Sequence, residues 1–428
     1  MESFVQPKVE YTAIRDFTNV LPEGVDTYIF NPSVARWKDD LYLCAYRIFT
    51  RHKQTSKRDI VHPKFDPNHP WKSDQWWRGG TDGTKFALLK ISSKTGFQLE
   101  SDLTANTFSI DDNRLINLFS RVDARLLHVE NNIFVLSYNA GSPRGMSLNA
   151  CVITLDENTK RLTLHPDSVV CPRISNPVEK NWSFWLRTPA GTPRLAKEPE
   201  LFFSYGISPK HTVYKALVRD SKIVCDESPP LAEKIGYFGL LEKCYNLSLP
   251  KNERFVFISV TTPALQRKGI ANRYLAVGHL KVRWKHLKKL PPTSALAVFY
   301  KEYLPSHESA LGFYSRHAEY DYFMFIYEFD GITMEVTRIT NFFVVSGEPR
   351  FILSFPSGIE YYADTTNVMI FFGDHDSASK MIIMTNENLE ANLSAPVFDK
   401  NKDSYLYEPE INACSLLPGP GFVLINQK

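Results

Sequence analysis

The chain predicts an all-β fold: a five-bladed β-propeller, one domain over residues 1–428, with long inserted loops. Three observations predict it. Helical periodicity is scarce, while short alternating or apolar runs dominate. A phrase of polar loop plus strand recurs about five times. No linker of Pro, Gly or charge divides the chain.

The strand-sized runs come first. Residues 86–91, 150–155, 255–260, 322–329 and 381–384 are apolar or alternating, and Gly, Pro, Asn or Asp bound them. Such runs at fairly regular spacing fit a sandwich, barrel or propeller. The recurring phrase selects among these. Asn31-Pro32-Ser33 precedes a strand that ends on Arg47. Asp123-Ala124-Arg125 precedes one that ends at Tyr138-Asn139. Weaker echoes start at Asn181-Trp182-Ser183, Thr262-Pro263-Ala264 and Pro356-Ser357-Gly358. Repetition with one polar end is how a propeller gathers a ligand site on its axis. The longest irregular stretch, about 50–82, is polar and rich in Pro and Trp. It predicts an inserted loop or lid, with Trp76 and Trp77 covering an acceptor.

Bulk properties exclude several classes. Fifty basic and 47 acidic residues leave a net charge of +3, too balanced for a nucleic-acid binder. The richest basic run, 281–289, reads as a solvated loop that could also touch phosphate or a membrane surface. Six scattered cysteines without a CxxC pair signal neither zinc nor disulfides, so buried free thiols are expected. No signal peptide and no apolar run of transmembrane length is found. The expectation is a cytoplasmic protein in a reducing compartment. Neither a phosphate-cradling glycine loop, nor a nucleophile elbow, nor a Rossmann fingerprint occurs, so no cofactor is expected.

The candidate chemistry lies in the repeated phrases. Asp123 stands between Arg121 and Arg125 at the start of a strand, as a proton-transfer carboxyl or as half of an ion pair between blades. Asp374 and Asp376 follow an apolar strand, as grips for sugar hydroxyls or as turn residues. Lys180, Asn181 and Trp182 put a cation, an amide and an indole together, as sugar sites do; a buried Trp with a paired lysine is the plainer alternative. His211 and His279 each end a candidate strand.

In this order, Asn31-Pro32-Ser33 with Arg47, Asp123-Ala124-Arg125, Lys180-Asn181-Trp182, Gly278-His279 and Gly373-Asp374-His375-Asp376 resemble the landmarks of five-bladed β-propeller β-mannoside phosphorylases, glycoside hydrolase family 130, and of the related β-1,2-mannosyltransferases. The resemblance runs from about Asn31 to Asp376. It implies an inverting mechanism with Asp123 as general acid. Arg47, Arg125, Lys180 and His279 would hold an anion or sugar hydroxyls, and Asp376 would grip the donor sugar. No Asp-x-Asp pair precedes a strand as in metal-dependent nucleotide-sugar transferases, so no metal is expected. The family's Glu-Asp-Pro-Arg reads Val122-Asp123-Ala124-Arg125 here. The expectation is therefore an inverting glycosyltransferase that takes an activated donor (a nucleotide sugar or sugar phosphate) and a glycan acceptor. A phosphorylase or hydrolase on the same site is the alternative, and a non-catalytic glycan-binding or scaffold propeller the alternative from another class.

Overall fold

Each of five sheets is a blade whose strands run outward from a common axis. The structure is a computed structural model. It describes residues 13–16, 27–51, 80–103, 107–109, 121–142, 145–165, 168–169, 181–187, 200–208, 211–219, 222–225, 237–246, 254–283, 295–303, 320–346, 354–374, 378–394 and 422–426.

Blade 1 runs β2 (Thr27–Lys38), β3 (Leu41–Arg51), β4 (Gly80–Ser92), β5 (Gly96–Asp102). Blade 2 runs β7 (Arg121–Glu130), β8 (Ile133–Ser142), β9 (Gly145–Leu155), β10 (Leu162–Leu164), with β6 (Thr107–Ser109) beyond and β11 (Ser168–Val169) beside β9. Blade 3 runs β12 (Ser183–Arg187), β13 (Glu200–Gly206), β14 (Thr212–Arg219), β15 (Lys222–Cys225). Blade 4 opens with β16 (Val256–Val260) and β17 (Leu265–Gln266), both paired to β18 (Arg273–Val282). Outside β18 lie β19 (Asp321–Asp330), β20 (Val336–Ile339), β21 (Phe342–Ser346) and β25 (Phe422–Asn426). Blade 5 runs β22 (Ser354–Tyr361), β23 (Val368–Asp374), β24 (Ala378–Met384). Its outermost strand is β1 (Ala13–Asp16), from the other end of the chain. This covers the edge that β24 would otherwise expose. Three helices occur among the described residues: α1 (Tyr237–Asn246), α2 (Ala295–Tyr303) and α3 (Asn386–Asn392).

The core explains why the runs are nearly continuously apolar. Successive side chains of a strand point to opposite faces, and in a propeller both faces of a blade are covered. Leu43 and Ala45 pack toward blade 2, with Leu126, Phe134 and Leu136. Their neighbours Tyr42, Cys44 and Tyr46 pack toward blade 5, with Met369 and Phe371. The other three cores lie between blades 2 and 3, 3 and 4, and 4 and 5. Five interblade cores form a closed ring. Burying a Leu or Phe in one contributes about 1.5–3 kcal/mol.

Polar contacts near the axis join the inner strands. Ser33 Oγ accepts from Leu126 N (3.0 Å), and Ser357 Oγ donates to Pro32 O (2.6 Å). Ala264 N donates to Phe184 O (2.9 Å). Farther from the axis, Glu328 on β19 is 4% exposed and clamped by two arginines. Arg267 Nη1 lies 2.7 Å and Arg338 Nη2 2.6 Å from its Oε2. Both arginines also reach Glu390 of α3.

One cysteine departs from the sequence expectation. Cys44 and Cys151 are free and buried, but Cys225, which closes β15, is disulfide-bonded. The expectation of free thiols throughout fails there, and with it the cysteine argument for a reducing compartment. No helix is long and apolar enough to cross a membrane among the described residues.

Candidate functional site

The inner strands are broken at equivalent places. In β2 the register shifts between Phe30 and Ser33, in β7 between Val122 and Arg125, and in β22 between Pro356 and Gly358. In blade 4 residues 261–264 separate β16 from β17. A bulge re-aims a side chain and bends its strand. Three bulge or strand-start residues have left-handed backbone: Asn31 (φ 51°), Asp123 (φ 55°) and Asn181 (φ 65°). Asn and Asp tolerate this region better than other side-chain-bearing residues. The residue types that fit the kink are also the ones that can bond a sugar.

Two of these residues meet. Asn31 Nδ2 donates to Asp123 Oδ1 (2.8 Å), across the junction of blades 1 and 2. Arg47 Nη1 donates to the same oxygen (2.9 Å), and Asn139 Nδ2 donates to Oδ2 (3.3 Å). Arg47 and Asn139 are equivalent by register: each faces the residue just before a bulge, Phe30 and Val122. The Asp123 side chain keeps 14% exposure. It is thus oriented on three sides and still open to a ligand. Three donors, one of them cationic, favour the ionised carboxylate.

Gly373 adjoins this cluster. A Cβ built there would stand 1.8 Å from Asn31 Oδ1 and 3.2 Å from Asn31 N. Gly373→Ala must displace Asn31 and with it one of the donors on Asp123. We expect the variant to fold with a stability loss of about 1–3 kcal/mol and to lose more activity than Asn31→Ala. Assay of both variants, with thermal melts as control, checks this.

The other predicted residues separate into groups. Arg125 is buried and spends its guanidinium on carbonyls of three blades: Ala124 O (2.9 Å), Thr261 O (3.0 Å) and Pro356 O (3.5 Å). Burial pushes its pKa down to about 10, with Arg47 adding to the shift and Asp123 opposing it. It is placed as a hub across the axis. His279 bonds Thr261 Oγ1 through Nδ1 (2.6 Å) and packs on Phe355, over which Arg125 also lies. It therefore borders the same region. Asp374 is buried and paired to Lys380 (2.5 Å), next to Gly373. Asn181 is buried at the equivalent position of blade 3, its Oδ1 without a partner.

Two predicted residues sit in packing. Trp182 is 2% exposed, stacked on Phe203 (5.1 Å) and edge-on to Tyr205, inside the core between blades 2 and 3. An indole in that place offers no face to a sugar, so its role as a platform is corrected to a core role. His211 is buried between Ser204 Oγ (2.8 Å) and Met334 O (2.8 Å), against Phe329. The carbonyl fixes the proton on Nδ1, and burial pushes the imidazole pKa down to about 4, so the ring is neutral. It is a structural histidine joining blades 3 and 4. Lys180, Asp376, Trp76 and Trp77 lie outside the described residues.

Asn139 was missed by sequence reasoning. Its signal lay in the repeat itself: Ser137-Tyr138-Asn139 on β8 matches Ala45-Tyr46-Arg47 on β3. Among the described residues no His, Cys, Asp and Glu group is arranged to hold a metal.

The class these elements define is a five-bladed β-propeller with polar residues of several blades converging on its axis. No family model matches the chain, and no curated protein matches it. Solved structures do. One comes from work on the GH130 family of mannoside phosphorylases, a family said to contain glycoside hydrolases that target β-1,2 mannosidic linkages in Candida mannan; it has a TM-score of 0.45 at 16% identity, covering 84% of this chain and 85% of that one. A glycosyl hydrolase from Bacteroides ovatus has a TM-score of 0.44 at 14% identity, covering 84% and 85%. MPT-4, a mannose phosphorylase from Leishmania mexicana in complex with phosphate ion, has a TM-score of 0.42 at 10% identity, covering 87% and 90%. At this level of likeness the functional reading rests on the chain's own residues.

Proposed function

We propose that the protein is a carbohydrate-active enzyme that cleaves a β-glycosidic bond, a β-mannoside by its sequence resemblance, with inversion and with Asp123 as the proton-transfer carboxyl. The observation that carries this reading is Asp123 itself. It is lifted from β7 by a bulge, held by Asn31, Arg47 and Asn139, and partly exposed at the axis. Phosphate, already an anion, attacks the anomeric carbon from the face opposite the leaving oxygen and needs no base; water attacking from the same face must in addition give up a proton to solvent or a second base. The C–O bond to the leaving group breaks, and that oxygen takes the proton from Asp123, directly or through a sugar hydroxyl.

An acid must first hold a proton. Asn139 gives the site a way to tolerate both states. Its Nδ2 donates to ionised Asp123, while its own Oδ1 is buried without a partner. Turned over about its last bond, the amide presents that oxygen to a protonated carboxyl. Asn139→Asp, which removes the donor and adds a like charge, is expected to shift the pH optimum upward. An unchanged optimum counts against the pairing.

The deciding experiment offers β-1,2-mannobiose with and without phosphate, and separately a nucleotide sugar such as GDP-mannose with a mannoside acceptor. α-Mannose 1-phosphate identifies phosphorolysis, and α-mannose without phosphate identifies hydrolysis. Release of nucleotide with a new β-linkage replaces this reading with the glycosyltransferase expected from sequence. No turnover of any of them, with glycan binding retained, replaces it with a lectin-like propeller.

A further inference from the structure

The residue that leads into each inner-strand kink varies from blade to blade with its surroundings. In blade 1 it is Phe30, which faces Arg47 in the ladder. In blade 5 it is Phe355, which faces Gly373. Blade 2 has Val122 there, facing Asn139. Phe30 is fully buried and Phe355 is 8% exposed, yet neither belongs to any of the five interblade cores. The apolar packing between blades does not account for these two rings.

What the rings share is a guanidinium. The guanidinium carbon of Arg47 lies 5.0 Å from the centre of the Phe30 ring. That of Arg125 lies 5.4 Å from the centre of the Phe355 ring. Blade 2, where the facing residue is a neutral amide, carries an aliphatic side chain instead. A cation over an aromatic face is attracted by the ring quadrupole, and more strongly where water is excluded. The Arg47 side chain is 11% exposed, which meets that condition.

The contact bears on Asp123. Arg47 Nη1 donates to Asp123 Oδ1, the oxygen that Asn31 also reaches. Asn31 follows Phe30 directly and takes the left-handed backbone that starts the bulge. Phe30 thus stands behind both donors, behind Arg47 through its ring and behind Asn31 through the chain. A ring that restrains a long arginine side chain lowers the entropy lost when its ion pair forms.

We propose that Phe30 is a positioning residue for the axial carboxyl, acting through Arg47: its ring holds the guanidinium against Asp123 Oδ1, which orients the carboxyl and favours its charge. The inference rests on the proposed role of Asp123 in proton transfer. The groups that face Asp123 are Asn31 and Arg47 from blade 1 and Asn139 from its own blade, and the charge of Arg125 is also felt there. Loosening Arg47 withdraws stabilisation from the ionised form, so the carboxyl pKa rises.

Two replacements in the full chain test this. Phe30→Leu removes the ring. A triply fluorinated phenylalanine in place of Phe30 keeps the ring and withdraws the electron density that attracts the cation. One readout is the pH profile of turnover on β-1,2-mannobiose with phosphate. The other is the pH titration of the Asp123 carboxyl by carbon-detected NMR, its signal identified by its loss in Asp123→Asn. Both replacements are expected to move the carboxyl titration to higher pH, and the basic limb of the profile with it. A singly fluorinated ring is expected to give an intermediate shift. Turnover of Phe30→Leu at its optimum is expected to fall about tenfold, with KM within about twofold of wild type. An unmoved titration in the triply fluorinated protein, at an unchanged melting temperature, overturns the proposal. A shift confined to Phe30→Leu overturns it too, because it traces to lost packing. If the titration moves while no mannoside is turned over, the positioning by Phe30 stands and the enzymatic reading falls.

Discussion

Asp123→Asn is expected to reduce turnover by about 10²–10⁴-fold, the usual contribution of a positioned acid or base, while sugar affinity and fold are retained. The fold is expected to survive for local reasons. Asparagine accepts the left-handed backbone at φ 55°. Its oxygen can still receive Asn31 and Arg47, and its amide meets Asn139 once that side chain turns its partnerless oxygen inward. Asp123→Ala lacks these acceptors, leaves the Arg47 guanidinium without its carboxylate, and is expected to lose stability as well as rate. Steady-state kinetics paired with glycan titration separates the two effects. A turnover number for Asp123→Asn within a few-fold of wild type would refute the assignment.

Glu328→Gln is expected to cost about 3–5 kcal/mol of stability, because it leaves two guanidiniums facing a neutral amide in a buried setting. In the native protein burial pushes the Glu328 pKa up, but hydrogen bonds from Arg338 and Arg267 outweigh it and hold the value down at about 2. Glu390 is depressed by the same pair of arginines. The sign follows from linkage. A carboxyl whose folded value lies below its unfolded value contributes stability above the unfolded value, near 4.5, and loses it as pH falls through about 2. Wild-type melting temperature should therefore drop across that window, and the Glu328→Gln protein should show a flatter profile starting lower. Calorimetry between pH 2.5 and 6 reads both. Parallel profiles would mean that the clamp does not carry the acid sensitivity.

The propeller was legible because its physics repeats. Each blade needs apolar runs covered on both faces and a polar inner-strand kink, and these recur as Asn31-Pro32-Ser33, Asp123-Ala124-Arg125 and their echoes. The meeting of Asn31, Arg47 and Asp123 followed from the same repeat. What the sequence hid is orientation. Trp182 and Asn181 are neighbours at one kink, and a single step along a strand sends one into the core and the other toward the axis. Arg125 reads as an anion binder until three carbonyls from different blades are seen around it. The histidines diverge likewise: His279 borders the axial residues, whereas His211 serves the packing of Phe329 and Met334. Cys225 shows the converse limit: six cysteines without a recognisable spacing pattern gave no sign that this one is disulfide-bonded.

The pairing of β1 with β24 has a bearing on how the molecule is made. The last blade is not finished by neighbouring residues; its outer strand is synthesised before the rest of the propeller and stays without its partner until β24 has been made. Ring closure is thus a contact of very high sequence separation, which slows folding. Until it forms, β24 presents open backbone groups. Deleting the first 16 residues should accordingly yield chains that aggregate through this edge before they misfold elsewhere.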